Sequence, residues 1–187
     1  MTTEPHPART GEAASQPGPT GAVPAFDRLN DRSDYQRCFA CGAHNAYGLQ
    51  LVFQQEGDAV TTEFTADLRY QGFPGVVHGG IVATLLDETL ERVASLEGRW
   101  LMTGRIAVRF RRAVPIERPL RVVARAVDSR ARMLVASATM TLADQPGVVV
   151  AEAQGTFLPL PPDIQAQVAA QYPTFAHAFD DLPEGDG

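Results

Sequence analysis

The stretch 76-VVHGGIVATLLDETL-90 decides how the chain is read. His78 and the pair Gly79–Gly80 head an apolar run, and Asp87 and Glu88 interrupt it two turns further on. From about Gly79 to Leu96 the apolar residues recur at helical spacing, and 97-EGR-99 stops the run. Val82, Leu86, Leu90 and Val93 form the apolar stripe, while Thr84, Glu88, Glu91 and Ser95 gather on the polar side. This predicts solvated helix surface for Glu88. Asp87 falls on the flank of the stripe, beside Ala83, Leu90 and Ala94. Small neighbours leave room for a ligand, and partial desolvation there raises a carboxylate's pKa towards the range of a general base. The same position equally suits a boundary acid bonded to a loop amide.

The start of this helix leaves N–H groups without intrahelical partners, and the helix dipole adds positive character there. No Ser, Thr, Asp or Asn precedes it as a cap. Bare glycines let another molecule's carbonyl approach those N–H groups, which is the geometry of an oxyanion hole. A tight turn into the helix explains the same glycines, and His78 reads as a loop-orienting hydrogen-bonder rather than a base. Gly79 and Asp87 are separated by about 12 Å of helical rise, too far to act on one carbonyl along a single helix. If both act, they come from two chains related by a twofold axis, so an active homodimer follows, with a dimer of dimers as its multiple.

Strand patterns flank the helix. They run over 48-GLQLVFQQ-55 and 59-AVTTEFTA-66 before it, and over 100–110, 120–129, 132–143 and 148–160 after it. Two strands, one long helix and four strands with hairpin-length turns predict an α+β fold. An antiparallel sheet of about six strands then wraps one central helix. Residues 1–33, rich in Pro, Gly, Ala, Thr and Ser, are expected to be disordered. Residues 34–162 form the folded domain, and 163–187 a short helix with an acidic tail.

Composition excludes several classes. A net charge of −6 gives no reason to expect nucleic acid or an anionic membrane as partner. All 16 basic residues are Arg, so no lysine Schiff base and no P-loop lysine is possible. No apolar run approaches the roughly 20 residues of a membrane helix, and the N-terminal residues show no secretory pattern. A cytoplasmic protein with reduced cysteines is expected. There is no G-x-S-x-G elbow and no H-E-x-x-H.

From Cys38 to Leu160 the chain resembles the hotdog-fold acyl-CoA thioesterases, in the branch with phenylacetate-pathway and mammalian thioesterase-superfamily members. The resemblance is carried by HGG-x6-D from His78 to Asp87, by Thr103, and by 110-FRRAVP-115. It implies hydrolysis of an acyl-CoA thioester, with Gly79 N–H polarising the carbonyl and Asp87 of the facing subunit activating water or attacking directly. Thr103 would hold the water or the carboxylate. His78 and Gly80 would line the substrate site, and Arg111 and Arg112 would receive CoA phosphates, which planar guanidinium pairs well. Arg130 and Arg132 read as ordinary turn surface. Some relatives carry an Asn shortly before the His. Here the loop reads 70-YQGFPGVV-77, with Gln71 as the available substitute. Leu90, Ala94 and Phe73 are the residues expected to line an acyl pocket. The reading implies no cofactor and no metal.

The segment 38-CFACGAHN-45 offers Cys38, Cys41 and His44 as zinc ligands, but no fourth ligand completes the set. A redox C-x-x-C normally precedes a helix in a βαβ setting, which this chain lacks, so a small reduced turn before the first strand is the expectation. Two other functions compete with hydrolysis. A non-catalytic acyl-CoA sensor would not need the carboxylate of Asp87. A hotdog dehydratase would need a His and an acid placed at carbon, and only His78 is on offer.

Overall fold

The computed structural model describes residues 37–176; the segment 1–33 expected to be disordered and the acidic tail lie outside them. The described strands are β1 (Phe53–Glu56), β2 (Ala59–Thr65), β3 (Leu101–Phe110), β4 (Pro119–Arg130), β5 (Met133–Leu142) and β6 (Gln145–Pro159). Helix α1 spans Gly79–Leu96, followed late in the chain by α2 (Pro162–Gln171) and the short α3 (Pro173–Ala176). No helix among the described residues is long and apolar enough to cross a membrane.

All strands join one antiparallel sheet in the order β1-β2-β4-β5-β6-β3. Helix α1 packs across β2 to β6, so the sheet closes around it in the hotdog arrangement. The apolar stripe does the holding. Leu85, Leu86 and Leu90 are wholly buried, in one core with Leu120, Leu134, Met140 and Phe157. Each such side chain contributes about 1.5–3 kcal/mol of burial, so a single cut in this stripe removes a large share of a domain's net stability.

Three features depart from the sequence pattern. β1 begins at Phe53 rather than Gly48, because the backbone before it is already engaged. Leu49 N–H donates to Phe39 C=O and Leu51 N–H to Ala40 C=O, each at 2.9 Å, tying 48–52 to the cysteine turn instead of to a strand. That tie also corrects the expectation for Glu88. It is buried at 7% exposure, not solvated, because the cysteine turn and Phe53 cover the polar side of α1. There Glu88 pairs with Arg92, itself 1% exposed, whose guanidinium lies 5.1 Å from the Phe53 ring centroid.

The third departure is a bulge in β3. Pairing with β6 runs Thr103↔Phe157 and then Arg105↔Thr156, leaving Gly104 as the extra residue. A Cβ at Gly104 would come within 2.9 Å of Leu158 and 3.3 Å of Thr156 C=O, so the close approach needs glycine. The bulge reverses the side-chain alternation. Before it, Leu101 and Thr103 are the partly buried positions; after it, Ile106 and Val108 are. β3 ends the sheet, paired with β6 on one side only among the described residues.

Candidate active site

Thr103 reaches α1 because the bulge leaves it facing inward. Its hydroxyl donates to Asp87 Oδ1 at 3.2 Å. Asp87 is half-buried, and burial pushes its carboxyl above the ordinary range. The Thr103 bond pulls in the other direction, and the neighbouring charge of Glu88 adds to the upward push. Oδ2 of Asp87 makes no hydrogen bond among the described residues. A carboxylate with one oxygen fixed, one free and a raised affinity for protons suits the acceptance of a proton from water.

At the other end of α1, the start is capped after all. His78 takes the N-cap position and its Nδ1 accepts from Gly80 N–H at 2.9 Å. The imidazole does what a Ser or Asp cap does, which a search for oxygen caps alone overlooks. The backbone N–H of His78 donates to Tyr70 C=O at 2.8 Å. His78 is thus the loop-orienting residue expected of it, and Gly80 N–H is spent on the cap. Gly79 N–H is different. It is exposed and makes no hydrogen bond among the described residues. One side of Gly79 faces Phe110, whose ring would lie 3.7 Å from a Cβ placed there. β3 therefore lies alongside α1 in the opposite direction, with Phe110 at the helix start and Thr103 at Asp87.

Residues 74–149, which contain the helix, the edge strand and both of these contacts, match the family model for the thioesterase superfamily. By that stretch the chain is similar to the thioesterase superfamily. Among curated relatives, acyl-coenzyme A thioesterase THEM4 of Bos taurus is 27% identical over 71% of the chain and 55% of the relative. The THEM4 of Rattus norvegicus is 31% identical over 60% of the chain and 48% of the relative. The chain thus spans about half the length of the curated relatives it matches. A crystal structure of a thioesterase superfamily protein superposes with a TM-score of 0.61 at 29% identity, covering 66% of this chain and 60% of that one. The PaaI protein of E. coli, from the phenylacetic acid degradation operon, gives a TM-score of 0.54 at 15% identity over 59% of this chain and 83% of that one, a likeness of fold.

The other expected residues fall less evenly. Arg111 is exposed but engaged, its Nη2 lying 2.6 Å from Glu152. Arg112 is exposed, with its backbone N–H on Val150 C=O and no ion pair among the described residues. Arg130 pairs with Asp128, as turn surface does. Gln71 does not stand in for the missing Asn through its amide oxygen, which accepts from Gly75 N–H at 2.8 Å and shapes the loop. Leu90 and Ala94 are corrected as pocket-lining residues. At 0% and 2% exposure they belong to the chain's own core, whereas Phe73 is 82% exposed.

The cysteine turn also differs from its expected ligand set. His44 is exposed and is not part of the cluster; Glu88 joins Cys38 and Cys41 instead. Arg92 Nη2 donates to both Cys41 Sγ, at 2.8 Å, and Glu88 Oε1. The positive charge that would balance this cluster is therefore already present as a guanidinium, which cannot deprotonate. Glu91, one turn beyond Asp87, is also poorly solvated. Burial above all, with the charge of Glu88, pushes its carboxyl up to about 8.

Proposed function

We propose that the protein is an acyl-CoA thioester hydrolase that works as a homodimer, with each active site shared between two chains. The observation that carries this reading is the pairing of an unspent N–H at Gly79 with a half-buried, Thr103-bonded Asp87 on the same helix. The two are about 12 Å apart along α1, so neither completes a site within its own chain. An open β3 edge offers a natural seam, since an unpaired strand edge invites another strand. Two β3 strands running antiparallel across a twofold axis bring the helix start of one chain towards Asp87 of the other.

In that site Gly79 N–H binds the thioester oxygen. Oδ2 of the facing Asp87 removes a proton from water, whose oxygen attacks the carbonyl carbon. The tetrahedral oxyanion rests against the N–H and collapses, the C–S bond breaks, and the thiolate leaves to be protonated. Arg112 is available to receive a CoA phosphate. Acyl-CoA pools and reduced thiols both favour the cytoplasm as the working compartment.

The experiment is subunit complementation. Asp87→Asn and Gly79→Pro, which deletes the N–H, are each assayed for thiol release from a panel of acyl-CoAs. Each alone is expected to lose kcat by about 100-fold or more. Chains unfolded together and refolded as a mixture should regain about a quarter of wild-type activity, because half the dimers are mixed and one of their two sites is intact. No recovery, with both parents folded and dimeric, rules out the shared site. Wild-type turnover in Asp87→Asn rules out the base.

A further inference from the structure

The catalytic reading makes no use of the most densely functionalised corner of the molecule. The turn from Cys38 to Gly42 is closed by Gly42 N–H donating to Cys38 C=O at 3.0 Å, and it packs Ala40 and Cys41 onto the core. Cys38 Sγ, Cys41 Sγ and a carboxylate oxygen of Glu88 all lie within 4.8 Å of one another. Both thiols are free. They are not equivalent: Cys41 is buried at 5% exposure with Arg92 on its sulfur, whereas Cys38 is partly open to solvent.

We infer that Cys38 and Cys41 form a redox site, a dithiol that closes reversibly to an intramolecular disulfide by exchange with a low-molecular-weight disulfide. The inference stands apart from the hydrolase reading, because neither sulfur touches Asp87, Thr103 or Gly79.

Three observations support it. One turn holds both sulfurs within 4.8 Å, so closing to an S–S bond of about 2.05 Å asks for side-chain rotation and a small shift of the turn rather than refolding. The burial asymmetry separates the roles of attacking and resolving thiol. The protonation states agree: Cys38, accepting the S–H bond of Cys41, is brought down to about 6, while the same bond and burial hold the proton on Cys41. At neutral pH the accessible sulfur is therefore the thiolate, which is the reactive form.

The exchange balances without any further reagent. The Cys38 thiolate attacks one sulfur of RS–SR, the Cys38–SR bond forms, and one RS⁻ departs. Cys41 loses its proton to the departing RS⁻, and its sulfur attacks that of Cys38, expelling the second RS⁻. The protein dithiol has lost two electrons, and RS–SR has become one thiol and one thiolate, which carries the charge Cys38 held at the start. Arg92 steadies the sulfur of Cys41 throughout. It also argues against a metal there, because a bound cation would have to displace a buried guanidinium from both Cys41 and Glu88.

The test uses the full chain in buffers of reduced and oxidised glutathione, quenched by acid, alkylated and read by peptide mass spectrometry. Wild type is expected to form the Cys38–Cys41 disulfide, reversed by reduced glutathione, with little mixed disulfide accumulating. Cys41→Ser should stop at the Cys38–glutathione mixed disulfide. Cys38→Ser should react at least about ten-fold more slowly, its remaining thiol being buried and protonated. Thermal unfolding of both variants, with Cys→Ala versions beside them, establishes that the folds compared are intact. The inference is overturned if both thiols stay reduced in oxidised glutathione until urea exposes them. It is equally overturned if the two serine variants react alike, or if wild type retains one zinc per chain through gel filtration and the metal shields both cysteines.

Discussion

The hydroxyl of Thr103 donates to Oδ1 of Asp87 across 3.2 Å, joining the terminal strand of the sheet to the central helix. This bond favours the ionised carboxylate and opposes the upward push of burial on Asp87. Thr103→Val removes the opposing contribution, so the Asp87 carboxyl moves further up. If Asp87 works as a base, the acid limb of the kcat/KM profile in the variant shifts to higher pH, while Thr103→Ser keeps the limb in place. The measurement is thiol release across pH; an unmoved limb in Thr103→Val would disconnect the hydroxyl from the base.

Gly79 and Gly80 are neighbours with opposite tolerances. Gly79 occupies the first helical position, its N–H makes no hydrogen bond among the described residues, and it follows a residue at φ −59°, ψ 134°, an extended conformation of the kind preferred before proline. Gly79→Pro should therefore hold wild-type stability or gain about 0.4–1 kcal/mol in urea unfolding, even as activity falls. At Gly80 a Cβ would stand 3.0 Å from His78 Nδ1. Gly80→Ala should disturb the cap and lose about 1 kcal/mol, the usual worth of an N-cap bond.

Arg92 is buried between Glu88, Cys41 and the Phe53 ring. Arg92→Met leaves the Glu88 carboxylate buried beside an apolar chain, and a loss of about 3–5 kcal/mol is expected in urea unfolding. Adding Glu88→Gln removes the stranded charge and should recover part of it. A double variant no more stable than Arg92→Met alone would show that the cation's stacking on Phe53, not its ion pair, holds this seam.

Glu91 gives a pH signature. Its carboxyl is raised from an ordinary 4.5 to about 8 in the folded chain, foremost by burial. Between these values the unfolded chain has released the proton and the folded chain still holds it, so this group's contribution to stability falls as pH rises. Glu91→Gln should flatten the fall in urea midpoint across that window. An identical slope in wild type and variant would assign the pH dependence elsewhere.

Much of this was legible from residue order. The helix bounds and the strand sequence follow from periodicity, because an amphipathic helix and short alternating strands leave direct marks on the chain. So does the placing of Asp87 beside small neighbours. Glu88 was misread because a helical wheel records which residues share a side but not what long-range chain covers it. The cover comes from a turn about fifty residues earlier, reached through Arg92. The cap at His78 carries a signal only if an imidazole nitrogen is counted as an acceptor. Leu90 and Ala94 looked like lining because periodicity cannot separate an own core from a shared cleft. The β3 bulge had one visible trace, a glycine inside a strand pattern.

That bulge sets a constraint on how this chain can change. Residues before Gly104 and after it present opposite parities to the helix, so shortening the strand by one would rotate one half out of phase with the other. Either Thr103 would leave the acid or Ile106 and Val108 would be turned to water. Indels in this strand should therefore be purged even though its outer edge pairs with no other described strand, and drift along it should proceed by replacement alone.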